Sequence, residues 1–185
     1  IIGATALLMY FASGAPIWHF FLLIPVALAS VATLALSSSY RKERVLTFLN
    51  PNTDPLGTSY HIRQILIALG SGGIFGVGLG QSRQKYLFLP EPMTDSIFAI
   101  IGEELGLLGT VGVLTVFVFL IWKGFLIARR TPDPFGRLLA VGITSWIGVQ
   151  AFVNLAAMVV LLPLTGVPLP FVSYGGSSLI VAMLG

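Results

Sequence analysis

Apolar runs separated by short clusters of charge, proline and glycine set the layout of this chain. Ile1 to Ala12 is apolar and closes on Ser13, Gly14 and Pro16, residues that favour turns. Trp18 to Ser37 is a complete apolar stretch of the length a membrane-crossing helix needs, about 20 residues. Trp18 and His19 stand at one border and Tyr40 at the other, where amphipathic rings favour the headgroup level. Arg41, Lys42 and Arg44 follow directly. FLNPNTDPLGTSYH then carries turn residues throughout, which predicts a loop lying along the surface.

Ile62 to Leu79 is apolar but interrupted by Gly70, Gly72, Gly73, Gly76 and Gly78, so the helix expected there is weak, able to pack closely or to unwind. Arg83 to Thr94 is a charged loop pinned by Pro90 and Pro92. Ser96 to Trp122 predicts a span of about 40 Å, longer than the roughly 30 Å hydrocarbon core and so tilted or projecting. Lys123, Arg129, Arg130 and Arg137 come next, interrupted by Thr131, Pro132, Asp133 and Pro134. Leu138 to Leu162 predicts another span, and Pro163, Gly166, Pro168 and Pro170 stiffen a loop ending in FVSYGGSS. A last span is expected to begin near Ser178.

Composition turns these runs into membrane spans. The chain is 56% hydrophobic and 9% charged with a mean hydropathy of +0.94, against about 25% charged residues in soluble domains. The expected fold is all-α: a polytopic transmembrane bundle of five or six spans forming one domain over residues 1–185. Continuous rather than alternating apolar runs argue against a β-barrel. Without cysteine there are no disulfides and no thiolate metal sites. The chain opens and stops inside apolar runs and carries no initiator Met or signal peptide, so a fragment of a longer protein is expected.

The loops at Arg41–Arg63 and Lys123–Arg137 each hold four Lys or Arg, whereas Arg83–Thr94 holds two and Pro163–Ser177 none. The positive-inside rule then makes the loops at about 38–61 and 123–137 cytoplasmic, and those at about 81–95 and 163–177 extracellular. This distribution accounts for the surplus of basic residues and calls for no nucleic acid. The cations Arg83 and Lys85 run against the bias, which suits anion binding better than solvation.

Candidate chemistry concentrates between Gly78 and Leu108. Besides Arg83 and Lys85, this stretch holds Glu91, Asp95, Glu103 and Glu104 in a chain with few other acids. Thr94 and Asp95 precede an apolar helix and have the composition of an N-cap; a catalytic carboxylate is the alternative for Asp95. Glu103 and Glu104 lie about 12 to 13 Å further along that helix and point roughly 100° apart. At such depth ionisable groups face a bundle interior or a wet cavity, and structural hydrogen bonding competes with catalysis for this pair. Gln150 and Asn154 share one helix face, as interhelical hydrogen-bonding residues do. The glycine run matches neither dinucleotide nor P-loop spacing. His19 and His61 have no ligand-spaced partner and fall near different faces, so a histidine metal site is not expected.

FLNPNTDPLGTSYH, GSGGIFGVGLGQSRQKYLFLPEPMTDSIFAIIGEELGLLG and PLTGVPLPFVSYGGSS resemble, in order and spacing, the carboxy-terminal half of the SEDS family, the bacterial shape, elongation, division and sporulation proteins. The GLGQSRQK link is closer to the division branch than to the elongation branch. The resemblance implies a peptidoglycan glycosyltransferase that polymerises lipid II at the outer face of the bacterial cytoplasmic membrane, alongside a class B penicillin-binding protein and other membrane proteins of division or elongation. Lipid II flippase and non-catalytic scaffold are the alternatives. It places the family's essential aspartate at Asp95, although Met93 and Ser96 stand where the family often has His and Phe. It further implies substrate binding by Arg83, Lys85, Glu91, Thr94, Ser173 and Tyr174, a cavity at Glu103 and Glu104, and a divalent cation, Mg²⁺ or Mn²⁺, with Asp95 as its candidate ligand.

Overall fold

The structure, a computed structural model, describes residues 1–37, 46, 48, 58–82, 95–174 and 183. Five helices are set out in chain order: α1 (Ile2–Ala12), α2 (Trp18–Ser37), α3 (Thr58–Gly72), α4 (Ile97–Arg130) and α5 (Pro134–Met158). There is no strand among the described residues. Helices α4 and α5 are each long and apolar enough to cross a membrane. The expected last span near Ser178 lies outside the described residues, apart from Met183.

Helix α2 has the borders its apolar run predicts. Helix α5 begins four residues before the expected Leu138, because Asp133 caps it by accepting from the Gly136 N–H at 2.7 Å and Pro134 occupies the first turn, where proline's missing N–H has no intrahelical partner to lose. Helix α4 runs on past Trp122 to Arg130. Lys123 does not end it, since its ammonium lies over the rings of Trp122 and Phe119 at 5.1 and 5.4 Å, a cation–π arrangement that leaves the stem on apolar surface.

Helix α4 is not continuous. Gly106 has φ 66° and ψ −158°, which breaks the helix into a short first piece and a long second one. Such a break strands carbonyls and N–H groups on its two sides, and an unpaired backbone group inside a membrane costs several kcal/mol. The glycine run after α3 supplies the partners. Val77 and Gly78 donate to the carbonyls of Glu103 and Glu104 at 2.9 and 3.1 Å, while Leu107 and Leu108 donate to those of Gly73 and Ile74 at 2.9 and 3.3 Å. This approach requires glycine: a Cβ at Gly72 would stand 1.9 Å from the Gly102 carbonyl oxygen. The glycines thus provide both close packing and a break, the two options open from sequence.

Helix directions follow from contacts. Helix α3 and the short first piece of α4 run side by side in the same direction, with His61 beside Ser96 at their starts and Gly72 beside Gly102 further on. Helix α5 returns antiparallel to the long second piece of α4, with Gly124 against Thr144, and Asn154 reaches Asp95 because the short first piece turns back at Gly106, where a Cβ at Gly102 would stand 3.3 Å from the Thr110 side chain. Helix α1 lies on α5 with Met9 against Gly142, and its end at Ala12 shares an apolar groove with Arg129 and Arg137. Helix α2 turns back along α1, Phe20 meeting Phe11 edge-on and Tyr10 stacking on His19. The bundle therefore has a basic end, at Arg129, Arg130 and Arg137, and an opposite end at Asp95.

This arrangement corrects the expected position of His61. His61 and Asp95 are at one end of the bundle, not at opposite faces. Helix α3 is about 22 Å long, shorter than the roughly 30 Å hydrocarbon core. Helix α2 leaves the basic end and ends at Ser37, about 30 Å away by helical rise. The described residues flanking 38–57, Ser37 and Thr58, are thus both on the Asp95 side of the bundle, whereas the loop itself lies outside the described residues.

The main core lies directly under Asp95. Ile62, Ile65 and Ala68 of α3 meet Phe98, Ala99 and Ile100 of α4, Ala157 and Met158 of α5, and Leu164 of the following loop. The spacing of Ile62, Ile65 and Ala68 is one face of a helix, while Leu66 and Ile67 on the other face are half exposed. A second cluster of Phe117, Ala151 and Leu169 seats the loop after α5 on the two long helices.

Candidate functional site around Asp95

Asp95 sits one residue before the capping position of α4. That position is Ser96, whose side chain makes no capping hydrogen bond to the helix backbone. The Ser96 hydroxyl lies 3.5 Å from Asp95 Oδ1 and 2.9 Å from His61 Nε2. The capping position is thus Ser96 rather than Asp95, and the Ser96 hydroxyl lies between the carboxylate and an imidazole.

The loop after α5 forms the other wall. Asn154 Nδ2 donates to the Asp95 carbonyl at 2.9 Å and to the Val167 carbonyl at 2.7 Å, and Gln150 Nε2 donates to the Pro168 carbonyl at 3.0 Å. The two amides expected to join helix to helix instead fasten α5 to irregular backbone, with Asn154 only 1% exposed. Gly166 faces the carboxylate; a Cβ there would be 3.8 Å from Asp95 Oδ2. Asp95 is half-buried where α3, α4, α5 and the loop from Pro163 meet. A carboxylate held by packed elements from four parts of the chain has the fixed placement that proton transfer requires.

The same loop closes on itself through Ser173. Its Oγ accepts from the Leu169 N–H at 2.7 Å, and its own N–H donates to the Leu169 carbonyl at 3.0 Å. Ser173 is buried and shapes the turn, whereas Tyr174 is 81% exposed. Below the turn an apolar groove of about 490 Å³ runs along Gly109, Gly112, Val113, Val116, Phe117 and Leu120 of α4, roofed by Phe171 and Val172.

Glu103 is 3% exposed and accepts a short hydrogen bond from the Ser82 hydroxyl. Glu104 is half-buried, and its Oε1 has no hydrogen-bond partner. Both precede the break at Gly106, so they belong to the short first piece of α4 and not to one uninterrupted span. Arg83, Lys85, Glu91 and Thr94 lie outside the described residues. Among the described residues no three His, Asp or Glu side chains converge as metal ligands; Asp95 and His61 supply one carboxylate and one imidazole.

Sequence reasoning missed His61 and Ser96. They are 35 residues apart, and no local pattern joins them to Asp95. The available signal was the departure at Ser96 from the aromatic residue frequent after the Thr-Asp pair.

A family model for FtsW/RodA/SpoVE cell cycle proteins matches residues 1–185. The chain is 47% identical over 184 residues to stage V sporulation protein E of Bacillus subtilis, covering 100% of this chain and 50% of that protein. It is 45% identical over 181 residues to a probable peptidoglycan glycosyltransferase FtsW of Geobacter metallireducens, covering 98% of this chain and 48% of that one. The chain thus spans about half the length of the curated relatives it matches. Among solved structures, a chain from work on the structural coordination of polymerization and crosslinking by a peptidoglycan synthase complex superposes with TM-score 0.71 at 31% identity, over 97% of this chain and 50% of that one. An aspartate-to-alanine mutant of the Thermus thermophilus rod shape determining protein RodA superposes with TM-score 0.51 at 28% identity, over 98% of this chain and 59% of that one.

Proposed function

The chain belongs to the FtsW/RodA/SpoVE family of cell cycle proteins, and on that premise we propose that it is the carboxy-terminal half of a peptidoglycan glycosyltransferase working at the outer face of the bacterial cytoplasmic membrane. The basic end faces the cytoplasm in this reading and the Asp95 end faces outward. The substrate class is lipid II, a disaccharide on a polyprenyl diphosphate, serving as both donor and acceptor. The observation that carries the reading is the fixed carboxylate of Asp95 at the meeting point of α3, α4, α5 and the loop from Pro163.

In the reaction, the acceptor sugar hydroxyl attacks the donor anomeric carbon. A new glycosidic bond forms, the bond to the diphosphate breaks with its electron pair, and the anomeric centre inverts. Asp95 takes the acceptor proton as general base. Its Oδ2 faces Gly166, which has no side chain to obstruct the approach. Arg83 and Lys85 are assigned the leaving diphosphate, whose developing charge needs fixed cations. The groove beneath Phe171 and Val172 suits part of the polyprenyl chain. A divalent cation, if bound at Asp95, would stabilise the diphosphate charge. The expected partner is a class B penicillin-binding protein, in keeping with the synthase complex among the superposed structures.

A flippase would need a polar path across the membrane. Glu103 is instead engaged by Ser82, and the backbone around the α4 break is paired with the glycine run. Polymerisation of lipid II by the purified full-length protein, with and without its partner, tests the assignment. Glycan chains that disappear in the Asp95→Asn variant support it; lipid II translocation without polymerisation overturns it.

A further inference from the structure

We propose that His61 is a positioning residue for Asp95, acting through the Ser96 hydroxyl. This rests on the reading of Asp95 as general base and adds two residues to it. His61 Nε2 is 2.9 Å from Ser96 Oγ, and Ser96 Oγ is 3.5 Å from Asp95 Oδ1. A serine hydroxyl has one proton. For that proton to be directed at the carboxylate, the oxygen must accept from His61, so Nε2 carries a hydrogen and the sequence of donors runs from imidazole to hydroxyl to carboxylate. The Ser96 hydroxyl then orients Oδ1, while Oδ2 lies on the side of Gly166, from which the acceptor hydroxyl approaches.

The surroundings support a fixed relay. Ser96 is 0% exposed, and Ile62 and Ile65, on the turn after His61, are 4% and 0% exposed in the core below the site. Helix α3 thus presents His61 from a packed surface. A base whose carboxylate can rotate loses the alignment on which proton abstraction depends, and small misplacements of this kind carry large rate penalties.

The test uses full-length protein with its penicillin-binding partner and measures kcat and KM for lipid II polymerisation. His61→Phe keeps a ring and removes the donor; His61→Gln keeps an N–H of similar reach; Ser96→Ala removes the hydroxyl and Ser96→Thr retains it. The expected result is a kcat loss of about tenfold in His61→Phe and Ser96→Ala with KM within about twofold, near-wild-type rates in His61→Gln and Ser96→Thr, and no further loss when Phe and Ala are combined, since residues acting as one unit are non-additive. Wild-type kcat in His61→Phe, equal losses in Phe and Gln, or multiplicative losses in the double variant would overturn the proposal. Should His61→Phe misfold, Ser96→Ala against Ser96→Thr makes the same comparison. The underlying reading fails separately: wild-type rates in Asp95→Asn would remove the general base itself, whereas an inactive Asp95→Asn beside a fully active His61→Phe removes only the positioning role.

Discussion

The side chain of Asn154 holds the backbone of Asp95. Its amide donates to the Asp95 carbonyl at 2.9 Å and, with the second hydrogen, to the Val167 carbonyl at 2.7 Å. One buried residue near the end of α5 thus sets the distance between the carboxylate and the loop that walls it.

Asn154→Leu keeps the volume and removes both donors. Each buried carbonyl left without its partner costs about 1 to 3 kcal/mol, so the full-length protein should melt several degrees lower and polymerise poorly. Asn154→Asp should be worse than Leu, because it sets an acceptor against two carbonyl oxygens. A melting curve in detergent for the two variants checks the order; an unchanged melting temperature in both would show that the bridge contributes nothing.

The docking of the glycine run makes position-specific demands. Gly72→Ala drives a methyl into the Gly102 carbonyl, backbone against backbone, with a separation of 1.9 Å before any relaxation. Gly70, two residues earlier on the same helix, has nothing within 4 Å of a built Cβ. Gly70→Ala should be neutral or stabilising by up to about 1 kcal/mol, the helix-propensity gain over glycine, while Gly72→Ala should abolish folded protein. Comparable yields of both variants on size-exclusion chromatography would contradict the close approach.

Glu103 is read as structural. Glu103→Gln retains an acceptor for Ser82 and should keep most of the activity, whereas Glu103→Leu leaves the buried hydroxyl without that acceptor and should lower stability by about 1 to 3 kcal/mol. A normally folded Gln variant that has lost polymerisation would move Glu103 into the reacting site.

How much of this was visible in the sequence depended on the range of the interactions. Helix α2 was legible to the residue because its apolar run is bounded by turn chemistry. The break at Gly106 was not, since EELGLLG reads as continuous helix and the groups that make the break tolerable come from residues 73–78. Asp95 was recognisable from its motif, but its neighbours His61, Asn154 and Gly166 are brought in by tertiary folding alone. His61 was expected at the face opposite Asp95 because basic residues were counted without knowing that α3 packs beside the start of α4.

Labelling of single cysteines tests this topology, and residues 1–185 contain none to interfere. Arg63 and Tyr174 are exposed at the Asp95 end and Arg130 at the basic end. A Cys at position 63 or 174 should react with an impermeant maleimide added to intact cells, and a Cys at 130 only after permeabilisation. Position 63 behaving like position 130 would restore the topology inferred from charge counting and separate α3 from Asp95.

The decisive substitution is Asp95→Asn. Asparagine preserves the size of the side chain and an oxygen that can accept from Ser96 at Oδ1, so α4, the core beneath it and the Asn154 bridge should persist. It cannot take a proton. Polymerisation by the full-length protein should therefore fall by a factor on the order of 10² or more, the scale expected when a general base is removed, with membrane insertion, melting temperature and partner binding unchanged. Asp95→Glu should restore little, because the added methylene pushes the carboxylate away from the Ser96 hydroxyl and toward Gly166, displacing it by more than an aligned proton transfer tolerates. Near-wild-type turnover in the Asn variant would show that the carboxylate is dispensable and overturn the mechanism. Low activity that rises with added Mg²⁺ or Mn²⁺ would assign Asp95 to metal binding in place of proton abstraction.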